Sequence, residues 1–518
     1  MQLKCVKKLK MKSKQDFTWI NFFKSVYINL VFATVTLLIS CTNKTVTSFQ
    51  ESEMEPYRQA YHFSPKKGWM NDPNGLVFLD GEYHLFFQHY PDSTVWGPMH
   101  WGHAISKDLV NWEELPIALF PDSLGYIFSG SAVFDEKNSS GLGSATNPPL
   151  VALYTYHNPR KEKAGTIDFQ TQGLAYSVDK GRSWKKYEGN PVLGNPGIRD
   201  FRDPKVTQTT SADGSTTWVM TLAARDQVQF YQSSNLKNWS LLGEFGQGTG
   251  AHGGVWECPD LLSMKAPDGS QKWVLLVSIN PGGPQKGSAT QYFIGDFKEG
   301  KFTPDDTMIR WLDYGPDNYA GVTWSNLPEG QNRTLWIGWM SNWLYAQVVP
   351  TSSWRSALTL PRELRLFDVD GTLLLQSAPA KELEKLRGTN YYLSEKESLL
   401  PSSAVEILAE VTKDEHFSMI LSNEMGEEVI ISKEMGLVTI DRRKSRKESF
   451  HLDFEAAHSA PMSWKASTLR IFLDATSIEV FVNEGELVLT SLLFPNAPWK
   501  KLTVDKGLKS VEIIELDQ

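Results

Sequence analysis

Cysteine is almost missing from this chain, with three in 518 residues. Cys5 and Cys41 lie within or at the end of an N-terminal leader, so Cys258 is left alone. No intramolecular disulfide is then available, and stability must come from a buried core. Long stretches of helical periodicity are also missing after Tyr57, which makes the reading all-β. Basic residues are outnumbered, 52 Lys and Arg against 60 Asp and Glu. That balance disfavours nucleic acid and offers no basic patch to anionic ligands, so a neutral ligand fits better.

The leader itself is basic, with Lys4, Lys7, Lys8, Lys10, Lys12 and Lys14 ahead of an apolar stretch over residues 26–39. That stretch is shorter than the about 20 residues a spanning helix needs, and it carries Asn29. It ends in Leu38-Ile39-Ser40-Cys41, which resembles a bacterial lipoprotein cleavage box. Residues 1–40 are therefore expected to be a signal peptide, with Met11 as an alternative start. Cys41 would be the lipidated first residue of an exported protein anchored to a membrane, facing the periplasm or the cell surface. Loss of the leader removes seven lysines and one aspartate and moves the formal charge from −8 to −14. Residues 41–56, polar and acidic, read as a tether.

What the chain has in quantity is aromatic: 18 Trp, 17 Tyr and 26 Phe, more than a core of this size requires. Most suit sheet core, and the rest suit the C–H faces of sugars. Short alternating segments follow one another at 75–78, 83–88, 132–134, 150–156, 218–222, 273–278 and 335–339. A repeat underlies them: SKDLVNW (106–112), SVDKGRSW (177–184) and SSNLKNW (233–239). Each sets a serine, then Asp or Asn two residues on, then a turn closed by Trp. Recurrence at 72 and then 55 residues is what radial blades of a β-propeller produce. Roughly five four-stranded blades fit over residues 57–378. On the repeat alone, a long β-sandwich or β-helix is the competing architecture. Residues 379–395 read as a linker, and residues 396–518 alternate again (417–422, 437–440, 469–473, 478–482) as a β-sandwich does.

Three carboxylates stand in aromatic-flanked, proline-stiffened segments: Asp72 in WMNDPNG, Asp203 in FRDP and Glu257 in VWECPD. A proline pushes its predecessor towards extended geometry and fixes the next φ, so each acid sits on a stiff backbone, as suits chemistry on a polyol. Glycosidic cleavage needs one protonated carboxyl and one ionised one. Glu257 is the better acid, because Val255, Trp256 and Pro259 offer apolar cover that favours its protonated form. Asp72 is the better nucleophile, since Asn71, Asn74 and the Gly75 turn can donate hydrogen bonds to it. Asp203, beside Arg202, would stay ionised and suits holding hydroxyls. Acids from three successive repeats would converge at a propeller axis. Taken singly, each has a plainer explanation: Asp-Pro often only opens a strand, and Trp-Glu is often an edge pair.

The segments WMNDPNGLVFLDGEYHLFFQHYP, WGHAISKDLVNW, FSGSAV, FRDPKV, ECPD and WRSALTLPREL together resemble glycoside hydrolase family 32, the invertases, inulinases and levanases. SIEVFVNEGE (477–486) is similar to the C-terminal part of the same family. The resemblance implies a five-bladed β-propeller followed by a C-terminal β-sandwich, and retaining cleavage of β-fructofuranosidic bonds without cofactor or metal. It implies Asp72 as nucleophile, Glu257 as acid/base and Asp203 as transition-state stabiliser. It places Trp69, Asn71, Gln88, Trp96, Phe128, Ser129 and Arg202 around the fructose, with Asp317 in GPDNYAG and Trp343 in WMSNW beside them. The two carboxyls of a retaining pair lie about 5–5.5 Å apart. The expected partner is a fructose-containing oligo- or polysaccharide, levan or inulin cut at its ends, with sucrose.

Other chemistries fare worse. His100 and His103 fall on opposite faces of a strand and lack a carboxylate cluster, so structural histidines are favoured over a metal site. Cys258 and His252 could be drawn as thiol and base, but nothing lowers the thiol pKa and a buried structural cysteine is favoured. Two alternatives keep the same site: a fructosyltransferase using the same covalent intermediate, and a fructan-binding lipoprotein without turnover.

Overall fold

The structure, a computed structural model, describes residues 55–517 apart from 211–215, 329, 332 and 413–415. The expected signal peptide, the Cys41 anchor and most of the tether lie outside the described residues. Alternating sequence becomes sheet almost throughout. The first blade is built from Gly68–Leu79, Glu82–Tyr90, His100–Ser106 and Trp112–Leu119, and the second from Tyr126–Phe134, Leu150–His157, Gln170–Ser177 and Lys185–Lys186. Phe201–Thr210, Thr216–Ala224, Val228–Ser233 and Ser240–Phe245 form the third, and Val255–Lys265, Gln271–Asn280, Ala289–Lys298 and Lys301–Pro304 the fourth. Tyr319–Thr323, Thr334–Met340, Arg362–Val369 and Thr372–Pro379 form the fifth.

The opening strand of each blade touches the opening strands of its neighbours, so these five line the axis of a five-bladed propeller. The ring closes where Trp354–Arg355 pairs in parallel with the start of the first blade, and where the Phe78 N–H donates to the Ser325 carbonyl at 3.0 Å. Apolar residues fill the wedges between blades. Val77, Phe86 and Trp101 meet Ile127 and Tyr154; Leu153 and Leu174 meet Phe201 and Met220; Phe230 and Phe245 meet Trp256. Most of the aromatic surplus is spent here.

The repeat is one hairpin used three times, between the third and fourth strands of the first three blades. In each copy the serine hydroxyl accepts the N–H of the Asp or Asn two residues on, at 3.1 Å for Asp108, 3.4 Å for Asp179 and 3.1 Å for Asn235. The closing indole donates to the carbonyl three residues back: Trp112 to Leu109, Trp184 to Gly181 and Trp239 to Leu236, at 3.0–3.1 Å. Leu109, Gly181 and Leu236 all have positive φ (64, 79 and 61°), which the turn requires and the side-chain hydrogen bonds stabilise.

Beyond the propeller, two six-stranded sheets face one another as a β-sandwich, with Val405, Ile407, Met419, Ile431, Ile471 and Val480 among the residues of its core. The stretch 379–395 holds a 3-10 segment, Lys381–Leu386, and then a strand, Arg387–Tyr392, already paired to Leu508–Leu516. Propeller and sandwich meet over buried ions. Arg362 reaches Asp313 (2.9 Å) and Glu479 (2.5 Å), and Arg442 reaches Asp317 (2.6 Å). Removing one member of such a pair strands a buried charge, so the contacts fix orientation more than they add net stability.

His62, ahead of the first blade, has Nδ1 2.8 Å from Asp474 and Nε2 3.0 Å from Glu479. Both nitrogens face carboxylates, so both donate and the ring is an imidazolium. Burial works against that charge, but the two carboxylates outweigh it and raise the pKa to about 9. A raised histidine contributes stability that is complete below its unfolded pKa and lost as pH climbs through the folded one. The His62→Gln variant should therefore be less stable than the parent by on the order of 3 kcal/mol at pH 6, with the gap shrinking between pH 6.5 and about 9. Denaturant unfolding of both proteins across that range measures it, and a constant gap counts against the imidazolium.

Candidate active site

Each of the five opening strands carries a β-bulge at the same level of the axis. Three residues of the inner strand run opposite two of its neighbour between Met70 and Pro73, Ile127 and Gly130, Arg202 and Lys205, Glu257 and Asp260, and Tyr319 and Val322. A bulge turns side chains out of strict alternation, so residues next to one another in sequence can face the same space. Asp72, Ser129 and Asp203 sit within bulges, and Arg202, Glu257 and Tyr319 immediately before them. The prolines follow from this geometry. Pro73, Pro204 and Pro259 lie at the bulges, where the regular ladder is interrupted and a missing N–H is tolerated.

The bulges bring together side chains from all five blades. Ser129 donates to Asp72 Oδ2 at 2.6 Å, and the Asn71 amide donates to Asp72 Oδ1 at 2.9 Å. The Cys258 Sγ lies 3.7 Å from Asp72 Oδ2 and 3.7 Å from Asp203 Oδ2, so one thiol touches both aspartates. The Cys258 N–H donates to Asp203 Oδ2 at 3.1 Å. Arg202 places Nε and Nη2 3.0 and 2.9 Å from Glu257 Oε1, with Nη1 on Asp200 at 2.8 Å. The Tyr319 hydroxyl donates to Glu257 Oε2. Asp203 is 5% exposed and the Glu257 side chain 20%.

Around this group, Trp69 donates its indole N–H to Asn71 Oδ1 (2.7 Å) and stacks on Trp343 at 5.7 Å. Gln88 acts one step back, donating to Asn74, which in turn donates to the Asp72 carbonyl rather than to its carboxylate. Trp96, 37% exposed, stands edge-on to Phe128, whose ring lies flat on His157 at 4.3 Å.

Several expectations need correction. The acids come from the first, third and fourth blades rather than from successive ones; the second supplies Ser129 and the fifth Tyr319. Asp317 does not join them. It is fully buried against the sandwich, with Oδ1 taken by the Tyr345 hydroxyl and Oδ2 by Arg442 and the Leu492 N–H. The residue of GPDNYAG that reaches the group is Tyr319, because the inner strand begins there and Asp317 still belongs to the preceding loop. Apolar cover does not surround the Glu257 carboxylate either: Trp256, next to it on the strand, faces the wedge between blades, and polar Arg202 and Tyr319 hold both oxygens. His252 turns to Asp226 and Trp256 and leaves the Cys258 thiol alone.

Comparisons with known proteins give the family. Residues 62–378 match the glycosyl hydrolases family 32 N-terminal domain and residues 379–516 the family 32 C-terminal domain. This chain belongs to glycoside hydrolase family 32. It is 43% identical over 495 residues to a levanase of Bacillus subtilis, covering 89% of this chain and 70% of the relative. It is 38% identical over 491 residues to an extracellular exo-inulinase of Aspergillus awamori, covering 86% and 90%. The β-fructofuranosidase of Schwanniomyces occidentalis, solved with fructosyl-erythritol, superposes with a TM-score of 0.79 at 32% identity, covering 90% of this chain and 98% of that one.

Within this group the electrostatics follow from crowding. Burial, then the neighbouring Glu257 charge, raise the Asp72 pKa against the opposing hydrogen bonds of Ser129 and Asn71. Asp203 goes further, to about 7: burial raises it most, Arg202 pulls it down, and Glu257 and Asp72 push it up again. Arg202 spends its hydrogen bonds on Glu257 and Asp200 and stands 4.0 Å from Asp203, so the ionised Asp203 expected beside it is not favoured. A carboxyl raised in the fold contributes stability below its unfolded pKa that is lost as pH rises through the folded value. Asp203→Asn should accordingly be more stable than the parent at pH 7, by on the order of a few kcal/mol, with the two converging towards pH 4. Thermal unfolding across pH 4–8 tests this, and an Asn variant no more stable at pH 7 than at pH 4 relative to the parent contradicts it.

Proposed function

We propose that the protein is a retaining exo-acting β-fructosidase that releases fructose from the ends of levan or inulin and from sucrose. The observation that carries the reading is the meeting of Asp72, Asp203 and Glu257 in one group, with the Cys258 thiol against both aspartates and Arg202 bonded to Glu257 and 4.0 Å from Asp203. The levanase and exo-inulinase relatives support the substrate class.

In this reading Asp72 attacks the anomeric carbon of the terminal fructose, its orientation fixed by Asn71 and Ser129. Asp203 takes sugar hydroxyls in the transition state. Glu257 protonates the departing oxygen, then activates the water that frees fructose from the covalent intermediate. Arginine can only donate, so Glu257 Oε1, held twice by Arg202, is the oxygen that does not carry the proton. The proton then travels on Oε2, whose partner Tyr319 can both donate and accept. Burial raises the Tyr319 pKa well above its usual value, so it stays a hydroxyl throughout. Trp343, Trp96 and Phe128 offer aromatic surface to the ring, with the fully buried Trp69 behind Trp343. Export is supported by the extracellular relative, and lipid attachment at Cys41 by the leader alone.

Glu257→Gln should lower turnover on sucrose, inulin and levan by about 10²–10⁴-fold with binding retained. Chromatography of the products from inulin and levan should give fructose alone. A ladder of oligomers would mean internal cleavage, oligomers longer than the substrate would mean transfer, and a fully active Glu257→Gln enzyme would overturn the acid/base role.

A further inference from the structure

Asp203 adopts φ +64°, a region that residues other than glycine rarely enter without being held there. Its N–H has left the ladder at the bulge and lies buried, so it needs an acceptor. The acceptor is Thr155 Oγ1, at 2.9 Å, on the Leu150–His157 strand of the neighbouring blade. Thr155 and Gln172 are fully buried.

The direction of each bond is forced. The Phe201 carbonyl can only accept, so the Gln172 side chain must turn Nε2 to it, at 3.0 Å. Gln172 Oε1 is then left facing Thr155, whose single hydroxyl proton goes there, at 2.7 Å. The lone pairs of Thr155 are thereby kept for the Asp203 N–H. Gln170 completes the grip, its Oε1 accepting the Phe201 N–H at 2.8 Å. Second-blade side chains therefore hold both backbone groups of Phe201 and the N–H of Asp203.

We infer that Thr155, oriented by Gln172, is a positioning residue for Asp203: it fixes the left-handed backbone that presents this carboxylate to the site. The inference rests on the role proposed for Asp203 and adds what keeps that residue in place. Displacing a transition-state contact by about 1 Å can cost 10²-fold, which sets the scale.

The test is a double-mutant cycle on the full chain, read as kcat and KM for fructose release, with thermal unfolding as the check on folding. Thr155→Val keeps the shape but removes the hydroxyl, and should lower kcat/KM by about 10–100-fold, mainly in kcat. Thr155→Ser restores the acceptor and should come back to within about threefold of the parent. In an Asp203→Asn background, Thr155→Val should cost no more than about twofold, since its effect passes through Asp203. Should the valine variant fail to fold, Gln172→Met, which removes both the donor to Phe201 and the acceptor that orients Thr155, is read in the same two backgrounds. A Thr155→Val enzyme with parental kcat while Asp203→Asn is impaired overturns the inference alone, as does an equal loss in both backgrounds. An Asp203→Asn enzyme with parental activity removes the role of Asp203 itself, and the inference with it.

Discussion

The molecule depends on five bulges set at one level of the propeller axis. An unbroken strand would alternate its side chains between the two wedges beside it and leave the axis to whichever residue happened to face inward. The extra residue in each inner strand breaks that alternation. It lets Asn71 and Asp72, or Arg202 and Asp203, serve the same space. The cost appears in the backbone: Asp203, Cys258 and Ala320 have φ of 64, 45 and 52°. Neighbouring blades hold these conformations, through Thr155 on Asp203 and through the Ser278 hydroxyl on the Ala320 N–H at 3.1 Å.

That convergence creates an electrostatic conflict. Asp72 and Asp203 are buried together beside Glu257, and Arg202 hydrogen-bonds only Glu257 of the three. Asp72 and Asp203 are left with raised pKa values and share the Cys258 thiol, itself pushed far up by burial and by the surrounding acids. Each acid is thus distinguished by its partners: Ser129 and Asn71 for Asp72, a backbone amide and a thiol for Asp203, Arg202 and Tyr319 for Glu257. Roles can separate among chemically similar groups because these partners differ.

The sandwich stands apart from this group but takes up charges of the propeller. Its buried Glu479, Asp474 and Arg442 lock onto Arg362, His62 and Asp317, and Thr490 onto Asp313. A carboxylate in a short polar loop such as Asp317 is therefore used for docking, although in sequence it looks like a ligand contact. Tyr319, two residues on in the same GPDNYAG segment, carries no charge, yet it lies against Glu257.

The amino-acid sequence by itself determined the all-β class, the hairpin repeat and the two-part architecture, and it singled out three acids next to or near prolines, because alternation, turn chemistry and proline stiffening are local properties. It also carried the family through long motifs matched almost throughout the chain. Tertiary structure alone decided which blades the acids come from, that Trp256 turns away from the site while Arg202 turns to Glu257, and that Asp317 belongs to an interface. Those outcomes depend on one-residue shifts of register between strands and on charges brought close from distant segments. No local pattern records either, since a bulge changes which way a side chain points without changing the residue that bears it.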